Sequence, residues 1–323
     1  MNSENIVSIT QPAPYDGLDD LFVHVDVKQE ESEKITSEPY SYWKSVLRVF
    51  IRKPATIIAL FVLVVLIAGT IIIPLFAPQD AFSSNMENAN LAPSVAHFFG
   101  TDVIGRDLWF LTWKGAGKSL ILAIVESVIV LLIGTIIGLI WGYFKKLDSL
   151  FVEIYNFISN IPSLLIYILL SIVFTYSLPS VPVEVRLVLS LTMLGWLELS
   201  LMIRNLVLII DNREYNVASK TLATPASRIM FKNYLPYLLG VIITEFSLII
   251  PGMISSEVAM SYFGVGLASK DVSLGAILEL GIDKYSLYPW EILAPGLLLA
   301  IIIFAFFILG TTFSDALDPK KHR

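Results

Sequence analysis

The sequence runs to 323 residues, of which 55% are hydrophobic and only 15% charged, with a mean hydropathy of +0.73. A soluble domain of this size carries about 25% charged residues to keep its surface solvated, so this shortage excludes an ordinary water-soluble globule. Cysteine is absent, which removes disulfides, thiolate metal sites and cysteine nucleophiles. The three histidines, His24, His97 and His322, lie outside the apolar runs, so neither a buried histidine metal site nor a histidine proton relay is expected.

The net charge of −6 is unevenly placed. Residues 1–40 carry nine acids against Lys28 and Lys34, a balance of −7, and the remaining 283 residues carry 20 bases and 19 acids. Residues 1–40 have no basic start followed by an apolar run, so they do not read as a secretory signal; their composition predicts an acidic, disordered cytoplasmic tail. Residues 41–54 mix aromatic, basic and apolar side chains from Tyr42 to Lys53, the pattern of a short helix lying in a membrane interface in contact with lipid.

A helix needs about 20 mostly apolar residues to cross the hydrocarbon core. Six segments qualify, at residues 55–76, 120–141, 154–176, 185–203, 238–260 and 292–312, so residues 55–323 read as an all-α membrane domain. Pro54 opens the first span at a position where a missing N–H costs nothing. Long Leu/Ile/Val runs favour helices over the alternating ten-residue strands of a barrel. No repeat between the two halves suggests an inverted-repeat carrier. Placing the N-terminus inside puts 16 of the 22 Lys and Arg residues on the cytoplasmic side, so both termini are expected there. Trp109, Trp113, Trp141, Tyr143 and Trp290 fall near span ends, where amphipathic rings favour the headgroup layer.

Gly115-Ala116-Gly117-Lys118-Ser119 superficially suggests a phosphate-binding loop. That motif needs a glycine at position 112, which is threonine, and a strand before it, whereas this stretch runs straight into an apolar span. Close helix packing through small residues is the better reading.

Five acids lie in or at the edges of spans: Glu126, Glu153, Glu198, Glu245 and Glu257. Ionisable groups inside a membrane are costly and face protein or water. Glu153 is near the interface. Glu126, Glu198 and Glu245 lie deeper, where they either line a water-filled path or bond to a neighbouring helix; Glu257 is assigned to packing or gating. Pro162, Pro251-Gly252 and Pro295-Gly296 interrupt spans three, five and six, as hinges or as static bends.

The segment between spans four and five, residues 204–236, is too long for a turn. Asp211-Asn212-Arg213-Glu214 offers an N-cap with an acid three residues on, leading into residues 215–222. Thr224-Pro225 offers a second cap and a proline at the first helical position, launching residues 226–232. A helix–turn–helix of small, basic and apolar residues is expected, either as an interfacial loop or as a docking element for a soluble partner. Residues 264–289, rich in Gly, Ser and charge, form an outer segment suited to contact with a protein on that face.

Several stretches share an ordered resemblance. Phe99-Gly100-Thr101-Asp102-Val103-Ile104-Gly105-Arg106-Asp107 resembles an FGTDxxGRD pattern, and Ile161-Pro162-Ser163-Leu164-Leu165 a proline-containing span motif. Residues 256–267 resemble an AEAxLSFLGLG run, Ser273-Leu274-Gly275 a Ser-Trp-Gly, and residues 314–320 an RDALDPR ending. The inner loop matches in part the Glu-Ala-Ala pattern of ABC-importer permeases, with Val217 for the acid, Ala218, Ser219 for the second Ala, Ala223 for the Gly, and Asn233-Tyr234-Leu235-Pro236 at its end. Together these stretches resemble the C-type permease of the oligopeptide/dipeptide importers, over residues 45–320.

The resemblance implies a type I ABC-importer permease fold with six spans, paired with a homologous second permease. It implies two ATP-binding subunits that carry ATP and Mg, leaving this chain without cofactor, metal or catalysis of its own. It also implies an extracellular or periplasmic peptide-binding protein, and no nucleic acid. Coupling would run through Tyr215, Val217, Ala218, Ser219, Lys220, Leu222, Ala223, Pro225 and Arg228. An ion-coupled carrier using Glu126, Glu198 or Glu245 is the competing expectation.

Overall fold

The computed structural model describes residues 41–267 and 272–317; the acidic tail and the last residues of the RDALDPR-like ending lie outside them. Helix α1 (Tyr42–Arg52) turns Val46 inward and sets Phe50 edge-on to Phe313 at 5.4 Å, while Trp43, Leu47 and Ile51 stay exposed beside Lys44, Arg48 and Arg52. Helix α2 (Pro54–Leu75) follows with Pro54 at its first position. Lys53 Nζ, just ahead of it, pairs with Asp315 at 2.9 Å and so joins the two ends of the described chain.

Helix α3 (Leu108–Tyr143) is the central element, packing most extensively on α6 (Val183–Asp211) and also on α2, α9 (Leu235–Tyr262), α10 (Leu274–Ile282) and α11 (Trp290–Leu317). It starts a dozen residues before the apolar window at 120–141 because Asp107 caps it, accepting from the N–H groups of Trp109 (2.8 Å) and Phe110 (3.4 Å). Lys114 and Lys118 lower the hydropathy of that first part without breaking the helix. The glycine-containing stretch at 115–119 therefore lies inside α3, with Lys118 paired to Glu184 at 2.8 Å.

Gly134, Gly138 and Gly142 recur every four residues on the face of α3 that meets Leu199, Ile203 and Val207 of α6. The same spacing on both helices lets their backbones approach closely, because a Cβ at Gly138 would lie 2.6 Å from Ile203 Cβ.

The third expected span is not continuous. It is built from α4 (Asp148–Ser159) and α5 (Ser163–Ser177), bent 89° apart around Pro162. Proline supplies no N–H and disfavours helical geometry in the residue before it, and here Pro162 serves as the N-cap of α5. By contrast, Pro251 and Pro295 sit within the continuous helices α9 and α11. Among the described residues, five helical stretches are long and apolar enough to cross a membrane, and the bent pair makes a sixth if counted as one span. No strand occurs among the described residues, only an isolated bridge between Thr101 and Asp107.

The outer segment 264–289 is not a simple loop, because it contains α10, whose Leu274, Gly275, Ala276 and Ile277 are buried against α3, α9 and α11. Two of the tryptophans near span ends, Trp113 and Trp141, are buried within the bundle. Trp141 is 1% exposed, stacks on Phe151 and donates Nε1–H to Asp148 at 2.8 Å, and Trp113 is buried beside Gly69 of α2. Protein partners satisfy Trp141 more fully than lipid headgroups do. Large apolar side chains such as Phe61 (68%) and Leu75 (76%) face outward from α2, as a lipid- or partner-facing surface requires.

Candidate functional site

The two ends of α3 carry different structures, and a cavity lies between them. At the start of α3, the FGTDxxGRD-like stretch folds on itself. Asp102 accepts from the N–H groups of Ile104 (3.1 Å) and Arg106 (2.8 Å) and from Arg106 Nε (2.7 Å), with both side chains buried. Thr101 Oγ1 donates to Asn88 O and accepts from Leu91 N–H, and Asp107 adds His97 Nδ1 at 2.8 Å to its capping bonds. Gly100 and Gly105 adopt φ of +78° and +81°, with Leu91 O and Asn85 O pressed against them. Only glycine fits such turns. Gly100, Thr101, Asp102, Gly105, Arg106 and Asp107 thus form a turn that seats α3, and their polar groups are used internally.

At the opposite end, α6 runs on to Asp211, so the first residues of the expected inner loop are helical. Asp211 is therefore not the cap of the next helix, as the sequence pattern suggests. It is the buried last residue of α6, accepting from the Tyr234 hydroxyl and pairing with Lys220, with Lys145 Nζ at 3.9 Å. Helix α7 (Glu214–Thr221) begins after Arg213 with no side-chain cap. Thr224 does not cap the next helix either; Pro225 holds the cap position of α8 (Ala226–Arg228), which leads through a π-helical turn (Ile229–Tyr234) into α9.

Around α7 the polar ties continue. Asn216 Nδ2 donates to Ile210 O at 2.8 Å, and Asn233 Nδ2 donates to Asn216 Oδ1 at 2.9 Å. Lys220 Nζ also lies 5.0 Å from the centre of the Tyr143 ring, which contributes a cation–π attraction. On the outside of this unit, Tyr215, Val217 and Leu222 are exposed (53%, 49% and 81%), and Ala218, Ala223, Pro225 and Arg228 are exposed beside them. Ser219 is half-buried and donates to Tyr215 O. Of the nine coupling candidates, Lys220 is the one that pairs with a buried carboxylate.

A neighbouring anchor was invisible to pattern reading. Arg204 of α6 clamps Asp148 at the start of α4 through Nε (2.9 Å) and Nη2 (2.6 Å to each oxygen), and Trp141 of α3 donates to the same carboxylate. Arg204 and Asp148 are 56 residues apart, so no local spacing pairs them. For the Asp211 cluster, the one local signal was Asn216 four residues before Lys220, a polar pair on one face of a short helix.

Between the α4–α5 break, α6 and α9 lies a cavity of about 620 Å³. Glu198 and Glu245 line it, with Tyr155, Ser159, Ser163, Tyr167 and Ser256 as other polar groups and no Lys, Arg or His among the described residues. Gly252 also faces it, with open space where a Cβ would stand. Glu126 and Glu257 are not brought to the cavity. Glu257 is buried and saturated, accepting from the hydroxyls of Ser119 (2.9 Å), Ser261 (3.1 Å) and Ser273 (2.8 Å), which binds α3, α9 and the cap of α10 together. Glu126 is fully buried in α3, and neither carboxylate oxygen has a hydrogen-bond partner among the described residues. No group of three His, Cys, Asp or Glu able to hold a metal ion occurs among the described residues.

Comparison with known proteins agrees with this architecture. Residues 134–323 match the family described as the binding-protein-dependent transport system inner membrane component, and residues 41–93 match the N-terminal TM domain of oligopeptide transport permease C. The chain is 36% identical over 303 residues to the oligopeptide transport system permease protein AmiD of Streptococcus pneumoniae, covering 92% of this chain and 96% of that protein. It is 33% identical over 294 residues to the oligopeptide transport system permease protein OppC of Bacillus subtilis, covering 91% and 94%. To the dipeptide transport system permease protein DppC of the same organism it is 32% identical over 307 residues, covering 94% of each. With matched segments at both ends of a helical membrane bundle, the chain belongs to the family of binding-protein-dependent transport system inner membrane components.

Proposed function

We propose that this permease takes up oligopeptides or dipeptides as one half of a paired pathway, and that partner ATPases drive it through α7. The observation that carries this reading is the character of α7: a short helix tied to the bundle through Asn216 and Lys220, with Tyr215, Val217 and the cap residue Leu222 left exposed. An exposed apolar cluster on an otherwise anchored element is suited to a protein partner. The chain's own residues supply the docking surface and the path, and ATP with Mg would be held by two separate ATP-binding subunits. A homologous second permease would complete the path that Glu198 and Glu245 line.

The Lys and Arg residues at the end of the bundle bearing α7, among them Lys145, Lys146, Arg204, Arg213, Arg228 and Lys232, support a cytoplasmic position for that end and, with it, for both termini. The opposite end, with the turn at 99–107 and α10, then faces the peptide-binding protein. ATP binding must favour one arrangement of the paired bundles over the other, since a ligand shifts an equilibrium only through differential affinity.

The absence of native cysteine makes the test simple. A cysteine placed at Leu222 is expected to crosslink in membranes to cysteines on the surface groove of the co-expressed ATPase, with a yield that changes on adding ATP. An assembled complex that gives no crosslink at positions 217 or 222 would sink the docking reading. Uptake that persists without the ATPases would favour the ion-coupled alternative instead.

A further inference from the structure

We propose that Asp211 is a positioning residue for coupling: through Lys220 and Tyr234 it locks α7 to the helices that line the cavity, so that displacement of α7 moves them. The inference rests on the docking role of α7 proposed above and concerns what happens on the inner side of that helix.

Asp211 ends α6, Lys220 lies in the last turn of α7, and Tyr234 closes the π-helical turn that runs into α9. One buried carboxylate therefore joins three elements, α6, α7 and the π-helical turn. The Tyr143 ring, at the end of α3, lies 5.0 Å from Lys220 Nζ and 6.3 Å from the Tyr234 ring, so the fourth element is in the same cluster. Asn216 and Asn233 tie α7 to the end of α6 and to the π-helical turn a second time.

The placement of charge argues for a fixed geometry. A buried carboxylate without compensating donors is costly, and charge-assisted bonds are the strong ones, so α7 cannot drift from Asp211 without exposing that cost. Lys220 is held on Asp211 and over an aromatic ring, which removes it as a free cation for an ATPase surface. The π-helical turn inserts one residue into the approach to α9 and so sets the rotation at which Tyr234 reaches Asp211. From this junction α6 carries Glu198 and α9 carries Glu245, both lining the cavity. A rigid α6–α7–α9 junction is therefore a physical link between docking surface and pathway, of the kind that can carry coupling between distant sites.

The test uses the full complex reconstituted with its ATPases, reading cargo moved per ATP hydrolysed alongside the Leu222 crosslink. Lys220→Met keeps the side-chain length but removes the charge, Tyr234→Phe removes one hydroxyl, and Lys220→Arg keeps the charge as the conservative control. Lys220→Met and Tyr234→Phe are expected to lower cargo moved per ATP by roughly fivefold, the low end of typical coupling energies, while Lys220→Arg stays near the parent value. Unchanged transport per ATP in both Lys220→Met and Tyr234→Phe, with the crosslink intact, would overturn the proposal. Loss of transport in Lys220→Arg equal to that in Lys220→Met would also overturn it, because charge would then be irrelevant. Failure of the crosslink in the parent protein, by contrast, counts against the docking role of α7 itself.

Discussion

At residue 223 the backbone turns left-handed, with φ of +53°, in a chain that places alanine there. Thr224 N–H donates back to Ser219 O and Ala223 N–H to Lys220 O, both at 3.0 Å, the paired bonds that close a helix when the residue after its cap is left-handed. A β-carbon is disfavoured in that conformation, and glycine is not. Restoring the glycine of the Glu-Ala-Ala pattern, Ala223→Gly, is therefore expected to stabilise the end of α7 by about 1 kcal/mol. Amide hydrogen exchange at residue 224 checks it: slower by roughly fivefold in Ala223→Gly, faster in Ala223→Val. The departure from the family pattern was readable in the sequence, but its meaning was not. Thr224-Pro225 offered a fresh helix start just after residue 223, and the helix before it still closes through a left-handed turn. Asp211 is the converse case. Its place before Asn212-Arg213-Glu214 has the local spacing of a capping box, and the tertiary partners Lys220 and Tyr234 override that spacing.

Among elements, hydropathy located the membrane-crossing helices because their cost of exposure is summed over many residues, but it set their limits poorly. Lys114 and Lys118 hid the first part of α3, since helix formation does not require an apolar surface all round. The break at Pro162 was visible as a proline, yet an 89° bend could not be told from the gentle kinks that Pro251 and Pro295 also suggested. The difference lies in what surrounds each proline: α9 and α11 are packed along their lengths on one another and on α3, whereas α4 has no buried residue to hold it in line with α5. The α3–α6 seam was not anticipated at all, because a glycine every four residues reveals its partner only when Leu199, Ile203 and Val207 face it. Its tightness makes a definite prediction. Gly138→Ala places a methyl where Ile203 Cβ and Ser200 O already stand, at 2.6 and 2.8 Å, and overpacking of this kind costs about 1–3 kcal/mol. The yield of monodisperse protein is expected to fall in Gly138→Ala and to recover in part in Gly138→Ala with Ile203→Gly, which removes the opposing Cβ and leaves the Ser200 carbonyl in place. No recovery in the double variant would show that the clash is not with Ile203.

For the molecule as a whole, the acids in the spans divide by what surrounds them. The Glu257 carboxyl is taken up by three serine hydroxyls, and Glu126 is buried within α3's contacts, so neither faces the cavity. Glu198 and Glu245 do, and no cationic side chain shares the lining to offset them. A cleft lined by one sign of charge, with low-dielectric walls, concentrates the opposite charge within it. Peptide cargo of the kind proposed above carries a free ammonium at one end, and further cationic side chains in some sequences. Glu198→Gln and Glu245→Gln are accordingly expected to lower uptake of lysine- or arginine-containing peptides by roughly threefold to tenfold each, in line with a partly solvated charge pair. Acidic peptides should be much less affected, and Glu245→Lys should favour them over basic ones. Competition between labelled basic and acidic peptides in vesicles, repeated at low and high salt, checks both points, because a charge effect must weaken as salt rises. Equal loss of basic and acidic cargo would mean that the two carboxylates shape the path without selecting by charge.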